Sequence, residues 1–250
     1  MFTKAIVRKP SKLYHQCVSS HLEKNLITYS NVIETHQKYT DTLKEYGIEL
    51  FFADDINYPD SCFVEDTAVL QKNRAMITRF GVSSRRGEEK TVESILKELN
   101  FTIDRIVEPG TIEGGDVLHF NDFKISGITS RTNLTGIEKT SKFLNIPIKT
   151  INDSSIVHLK SYVTNLNNDL LVCTKKYADH PILKEFNKIL VNEAETYAAN
   201  TLSLGDIVII ADGYPFIESD IKEHGFDVIK IDMREFQRCE GALTCLSIRF

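Results

Sequence analysis

A chain of 250 residues that is 42% hydrophobic can bury a sizeable core without staples, and one domain spanning residues 1–250 is expected. Its net charge of −5 is spread over interspersed acidic and basic residues; no lysine-arginine block could track a phosphate backbone and no apolar run could span a bilayer, so neither nucleic acid nor membrane is an expected partner. Met1 leads into a short mixed segment unlike an export signal, and the five cysteines are odd in number, scattered and without a C-x-x-C pair, so neither a disulfide framework nor a zinc site is expected and a reducing cytoplasm is the simplest home.

In chain order, a strand candidate at 5–8 is followed by a helical pattern at 32–46, with Val32, Ile33, Tyr39, Leu43 and Tyr46 on its apolar side and Gly47 as its stop. A single strand-like run at 48–52 comes next, then a hairpin candidate at 68–78 turning at Lys72-Asn73, a helix at 88–99 and a strand at 101–107. The same order returns as a hairpin at 117–126 around Asn121-Asp122, a helix at 136–144 and a strand at 146–151. A hairpin at 162–173 around Asn167-Asn168 precedes a helix at 181–190. The last unit has a hairpin at 201–210 around Gly205-Asp206, a helix at 216–224 before Gly225, and a strand at 226–231.

Hairpin, helix and strand thus recur every ~40–50 residues, the spacing of a closed or stacked repeat. A fifth hairpin forms only if the final strand, 243–250, pairs with the first, which would close a ring and remove its free edges. An ordinary open α/β sheet is the alternative built from the same elements.

Several residues could carry chemistry, each with a plainer reading beside it. Cys245, in a β-like run, is either a buried structural thiol or a nucleophile that needs a neighbouring base. His158, between Val157 and Leu159 near a strand start, is a core histidine or that base. The Glu113-Gly114-Gly115-Asp116 turn is a hairpin entry or the source of a carboxylate that orients an imidazole. Asp60 and the Glu65-Asp66 pair are a solvated edge or a cation-holding cluster, with Phe63 and Val64 favouring partial burial. Arg85, Arg86 and Arg131 are surface charges or bidentate partners for a carboxylate. No nucleotide-binding or metal-ligating motif occurs, so no cofactor and no metal is expected.

Taken together, the chain resembles the guanidine-modifying (pentein) enzymes, most closely the bacterial dimethylarginine dimethylaminohydrolases. The resemblance is carried by Pro59-Asp60-Ser61-Cys62-Phe63-Val64-Glu65-Asp66, Ile77-Thr78-Arg79, Ser84-Arg85-Arg86-Gly87-Glu88, Glu113-Gly114-Gly115-Asp116, Arg131-Thr132-Asn133, His158-Leu159-Lys160, Tyr197-Ala198-Ala199-Asn200 and Leu243-Thr244-Cys245. It implies an α/β fold, a five-bladed α/β propeller of pseudo-five-fold ββαβ repeats with a central site. It further implies Cys245 as nucleophile, His158 as general acid and base, Glu113 as its orienting carboxylate, Asp66 with Glu65 beside it on the guanidinium, Asp60 on the substrate α-amino group, and Arg85 and Arg131 on its carboxylate. The segment 12–20 corresponds to the family's lid, but Cys17 stands where an apolar residue is expected. An edge-to-edge homodimer is the assembly this analogy favours.

The implied reaction converts free methylated arginine into citrulline through a covalent thiouronium on Cys245, with no cofactor. Arginine deiminases are the nearest rivals; they resemble the chain around the acidic motif but carry an aspartate two residues after the histidine, where Lys160 stands here. A non-catalytic binding protein of the same ring fold is a second rival, and would have no use for a nucleophile with an oriented base.

Overall fold

The computed structural model describes residues 2–250. It begins with β1 (Lys4–Val7), α1 (Tyr29–Glu45) and β2 (Glu49–Phe52). Helix α1 buries Val32, Tyr39 and Leu43 at the 3–4 spacing that predicted it, and the chain leaves it through Gly47 at φ +78°, a conformation that side chains resist.

Four units follow. They are β3 (Ala68–Gln71), β4 (Arg74–Ile77), α2 (Glu89–Glu98) and β5 (Thr102–Arg105); then β6 (Val117–His119), β7 (Lys124–Ile128), α3 (Leu134–Leu144) and β8 (Ile148–Asn152). The third is β9 (Val163–Asn165), β10 (Leu170–Thr174), α4 (Lys175–Ala178) and β11 (Asn187–Val191), and the fourth β12 (Leu202–Ser203), β13 (Ile207–Ala211), α5 (Pro215–Glu223) and β14 (Asp227–Ile231). A short α6 (Arg234–Gln237) leads towards the last strand, β15 (Ile248–Arg249).

In every unit the first two strands pair antiparallel and the strand after the helix pairs parallel with the second. The fifth unit is assembled from both ends of the chain. β15 pairs antiparallel with β1 in the register Ala5↔Arg249 and Ile6↔Ile248, and β1 pairs parallel with β2. Five three-stranded sheets result, and the fold is the five-bladed α/β propeller that the repeat order predicts. Apolar clusters weld adjacent blades; Ile6 and Ile248 of the closing blade, for example, pack with Ala75, Ile77, Val92 and Leu96 of the next. Each such fully buried aliphatic side chain contributes roughly 1.5–3 kcal/mol.

One predicted element is different. The helix expected at 181–190 is only a single tight turn at Pro181–Leu183, and the residues beyond it form β11. Parallel pairing with β10, Val172 opposite Ile189, sends Ile189 and Val191 into the core with a two-residue alternation.

Each strand nearest the axis (β3, β6, β9, β12, β15) is entered through a tight helical turn: Val64–Thr67, Gly114–Asp116, Leu159–Ser161, Glu193–Ala199 and Thr244–Leu246. These turns pack against one another around one end of the axis, while the hairpin turns ring the other. Residues just before each inner strand are thereby gathered from five distant parts of the sequence.

Candidate active site

The Glu113-Gly114-Gly115-Asp116 turn is shaped by close approach. A Cβ at Gly114 would collide with the carbonyl of Glu65, and one at Gly115 would lie 2.8 Å from the His158 ring and 2.9 Å from Asp66 Oδ1. With no side chains there, Gly115 N–H donates to Asp66 Oδ1 at 2.8 Å and the imidazole settles against the turn. His158 Nε2 then lies 2.7 Å from Glu113 Oε2 and 3.7 Å from Asp66 Oδ1. Glu113 is itself fixed, its Oε1 accepting from Gly81 N–H at 2.9 Å.

Asp116, to which no role is given by the sequence, anchors the histidine segment. Its Oδ1 accepts from Leu159 N–H at 2.9 Å, and its Oδ2 accepts from the hydroxyls of Thr129 at 2.9 Å and Thr132 at 2.6 Å. Burial raises the Asp116 carboxyl to about 6, against the opposing pull of His158 and these donors. For His158 the balance runs the other way: burial lowers its pKa, but Asp66, Glu113 and Asp116 together outweigh burial and raise it to about 9. The ring is therefore an imidazolium at neutral pH.

Cys245 lies in the tight turn Thr244–Leu246 and not in a strand as its apolar neighbours predict; pairing with β1 starts only at Ile248. The thiol is half-buried, and burial, reinforced by Glu65 and Asp66, pushes it up to about 12. Its turn is pinned by Asn200, whose Oδ1 accepts from Thr244 N–H at 3.0 Å and whose Nδ2 donates to Thr244 Oγ1 at 3.0 Å and to Lys160 O at 3.1 Å. Asn200 thus joins the histidine and cysteine segments. Its place in a recognised motif was the only sign of it in the sequence.

Glu65, expected beside Asp66 at a guanidinium, is paired within the protein. Its Oε1 accepts from Lys160 Nζ at 2.7 Å and Arg249 Nη2 at 2.8 Å, and its Oε2 accepts from Thr244 Oγ1 at 2.8 Å. Both oxygens are engaged within the protein, one by Lys160 and Arg249 together and the other by Thr244. Asp66, with Glu113 the second carboxylate beside His158, is held from behind by Arg85 Nη1 at 2.8 Å.

Arg85 also donates to Glu88 at 2.9 Å and to Phe63 O at 3.3 Å, which leaves one N–H of Nη1 unused. Arg131 contrasts with it, since its buried Nη1 has no hydrogen-bond partner. Asp60 is buried within the field of both arginines, and its oxygens accept from Val18 N–H at 3.2 Å, so the segment expected to be a lid rests directly on it.

The expectation of unpaired cysteines is corrected at this lid. Cys17 and Cys239, 222 residues apart, form a disulfide with Cα atoms separated by 5.9 Å. So wide a separation leaves no spacing signal in the sequence. Cys62 and Cys173 are buried free thiols. The ligand atoms of Asp66, Glu113 and His158 all lie within 4.8 Å of one another, but the His158–Glu113 and Asp66–Arg85 pairs already engage them.

Comparison with known proteins places this geometry in a family. A family profile described as N,N dimethylarginine dimethylhydrolase, eukaryotic, matches residues 14–247. The chain is 32% identical to an N(G),N(G)-dimethylarginine dimethylaminohydrolase of Pseudomonas aeruginosa, with 100% of both chains covered. It is 33% identical to the protein of that name from Streptomyces coelicolor, covering 98% of this chain and 96% of the relative. A crystal structure of a cysteine-to-serine variant of the Pseudomonas aeruginosa protein in complex with citrulline superposes with a TM-score of 0.95 at 30% identity over 100% of both chains.

Proposed function

The chain belongs to the dimethylarginine dimethylaminohydrolase family, and on that premise we propose that it hydrolyses free Nω-methylated L-arginine to L-citrulline and methylamine or dimethylamine. The observation that carries this reading is the 2.7 Å pair of His158 Nε2 and Glu113 Oε2 beside Asp66. It supplies a loaded general acid and a carboxylate to receive a guanidinium, on the turns that adjoin Cys245.

In this reading the guanidinium pairs with Asp66 and brings positive charge over Cys245, lowering the thiol pKa that burial and carboxylates raise in its absence. The thiolate attacks the central guanidinium carbon. His158 gives its proton to the departing amine, whose C–N bond breaks to leave a thiouronium on Cys245. The neutral imidazole then takes one proton from water as the oxygen adds to the same carbon; the C–S bond breaks to return the thiolate, and the second proton of that oxygen is lost to solvent as the C=O of citrulline forms. Glu113 keeps Nε2 directed throughout.

The amino-acid end is read by Asp60 on the α-amino group and by Arg131, with the spare N–H of Arg85, on the carboxylate. The unsatisfied Nη1 of Arg131 supports this. A peptide-bound methylarginine would leave these charges unpaired. We further propose that the whole chain acts as one catalytic unit, that it is cytoplasmic, and that it forms homodimers.

Incubation with free arginine, monomethylarginine, asymmetric dimethylarginine and a peptide containing the last, scored for citrulline, tests the reading. Preference for the free methylated substrates over arginine by roughly tenfold, equivalent to ~1.4 kcal/mol, is expected. Preference for plain arginine would replace it with a deiminase, and equal rates on the peptide would remove the roles of Asp60 and Arg131.

A further inference from the structure

The five inner strands all run away from the Cys245 end, and at two to four residues each they are short enough to carry the chain within about 15 Å to the far mouth of the axis. That mouth is a cavity of about 530 Å³ ringed by the hairpin turns, the size of a small-ligand pocket. Lys124, Lys160, Arg249 and His119 are in its wall, together with amide and hydroxyl groups such as those of Asn165 and Thr201, and none of the described residues lining it is an Asp or Glu.

Two of these cations are balanced, because Lys160 and Arg249 share Glu65. Lys124 is not. Its side chain is 1% exposed, its Nζ meets His119 Nδ1 at 2.9 Å, and no carboxylate lies within ion-pair distance of it among the described residues. A buried ammonium with no counter-charge is costly to keep. Burial, assisted by Lys160, accordingly lowers Lys124 to about 7. His119 is exposed at the cavity wall, and with its Nδ1 accepting from Lys124 its Nε2–H is left as a donor. With Lys124 protonated, three cations face a single carboxylate, an excess of two positive charges in a cavity lined otherwise by neutral groups, and a bound anion favours that protonated form.

We propose that this cavity is a second ligand site, built for a phosphate group that is free or carried as a monoester and bound by Lys124 Nζ, His119 Nε2–H and the guanidinium of Arg249. A phosphate dianion matches the charge excess, and its oxygens accept from ammonium, imidazole and guanidinium donors at once. The volume exceeds what inorganic phosphate fills and leaves room for an ester. The Glu65, Lys160 and Thr244 contacts lie between the cavity and the Cys245 end, so ligand and substrate would occupy separate spaces.

Calorimetric titration of the intact protein with inorganic phosphate and, separately, with adenosine monophosphate tests this. Saturable binding of either is expected, weakened at least about tenfold by Lys124→Met, which removes the charge and keeps the volume. His119→Gln, at a position open to the cavity, should weaken it as well, and circular dichroism of both variants should match wild type. Tighter binding of the monophosphate identifies an ester as the ligand, and tighter binding of phosphate identifies the free anion. Alkylation of Cys245 should leave the affinity unchanged. Absence of binding by both probes at millimolar concentration, equal affinity in folded Lys124→Met, or loss of binding on Cys245 alkylation would overturn the proposal.

Discussion

Lys160 Nζ lies 2.7 Å from Glu65 Oε1, and this buried ion pair closes the propeller axis between the Cys245 end and the far cavity. The lysine shares Glu65 with Arg249 and Thr244, so both oxygens of that carboxylate are engaged within the protein.

Removing that lysine should destabilise the protein. In Lys160→Met, Glu65 stays buried with Arg249 and Thr244 only, and stripping one partner from a buried pair typically costs about 3–5 kcal/mol, here towards the lower figure because Arg249 remains. Urea unfolding should show it, and Glu65→Gln in the same chain should recover part of the loss. An unchanged midpoint in Lys160→Met would mean that the pair contributes nothing net.

How much of this was legible in the sequence follows from the range of the interactions. The hairpins at Lys72-Asn73, Asn121-Asp122, Asn167-Asn168 and Gly205-Asp206 could be read because a turn is set by adjacent residues, and the ring closure because it needs only the count of units. The false helix at 181–190 arose because Ile182, Leu183, Phe186, Ile189 and Leu190 fit a 3–4 spacing as well as a buried strand, and only pairing with β10 decides between them. Glu65 could not be placed from its neighbours, since its partners Lys160 and Arg249 are 95 and 184 residues away. Cys245 was recognisable by motif, but its turn is fixed by Asn200, a contact across 44 residues.

The thiol of Cys245 should behave as a weak acid until a cation is bound. With burial, Glu65 and Asp66 pushing it up to about 12, the thiolate fraction is small at neutral pH and grows about tenfold per pH unit. Alkylation by neutral iodoacetamide should therefore be slow at pH 7 and climb steeply towards pH 9, whereas a cationic haloacetamidine of similar size should react faster at pH 7. Mass spectrometry locates the adduct. A neutral reagent whose rate is flat over this range would contradict the raised thiol. Cys245→Ser should abolish turnover, and Cys62→Ser and Cys173→Ser should retain it.

The imidazolium of His158 makes a linked prediction in stability and rate. Its folded pKa of about 9 lies above the ordinary value near 6.5, so its contribution is fully present below about pH 6.5 and is lost as pH rises through about 9. Histidine NMR titration should find this ring charged at pH 7.5. Glu113→Gln removes the charge 2.7 Å from Nε2, so the titration should move down and kcat should fall by roughly 10²–10⁴, the usual worth of a positioned acid. A titration midpoint that does not move in Glu113→Gln would show that Asp66 and Asp116 alone hold the proton.

The Cys17–Cys239 disulfide yields a prediction that separates the lid from the chemistry. It ties the segment after β1 to the residues after α6, and it holds Val18 where its N–H meets Asp60. Closing a loop of 222 residues is worth at most about 5 kcal/mol on chain-entropy grounds, and less here because β1 and β15 already bring the chain ends together. Thiol titration of the denatured protein should count three groups in the oxidised form, from Cys62, Cys173 and Cys245, and five after reduction. Reduction, or Cys17→Ser, should lower the urea midpoint and raise KM for the free amino-acid substrate, because Val18 is released from the carboxylate assigned to the α-amino group. The rate of Cys245 alkylation by a cationic haloacetamidine, which lacks an amino-acid end, should stay within about threefold, since the Glu113, His158 and Asp66 contacts do not pass through the lid. A large fall in that rate on reduction would show that the lid also positions the nucleophile.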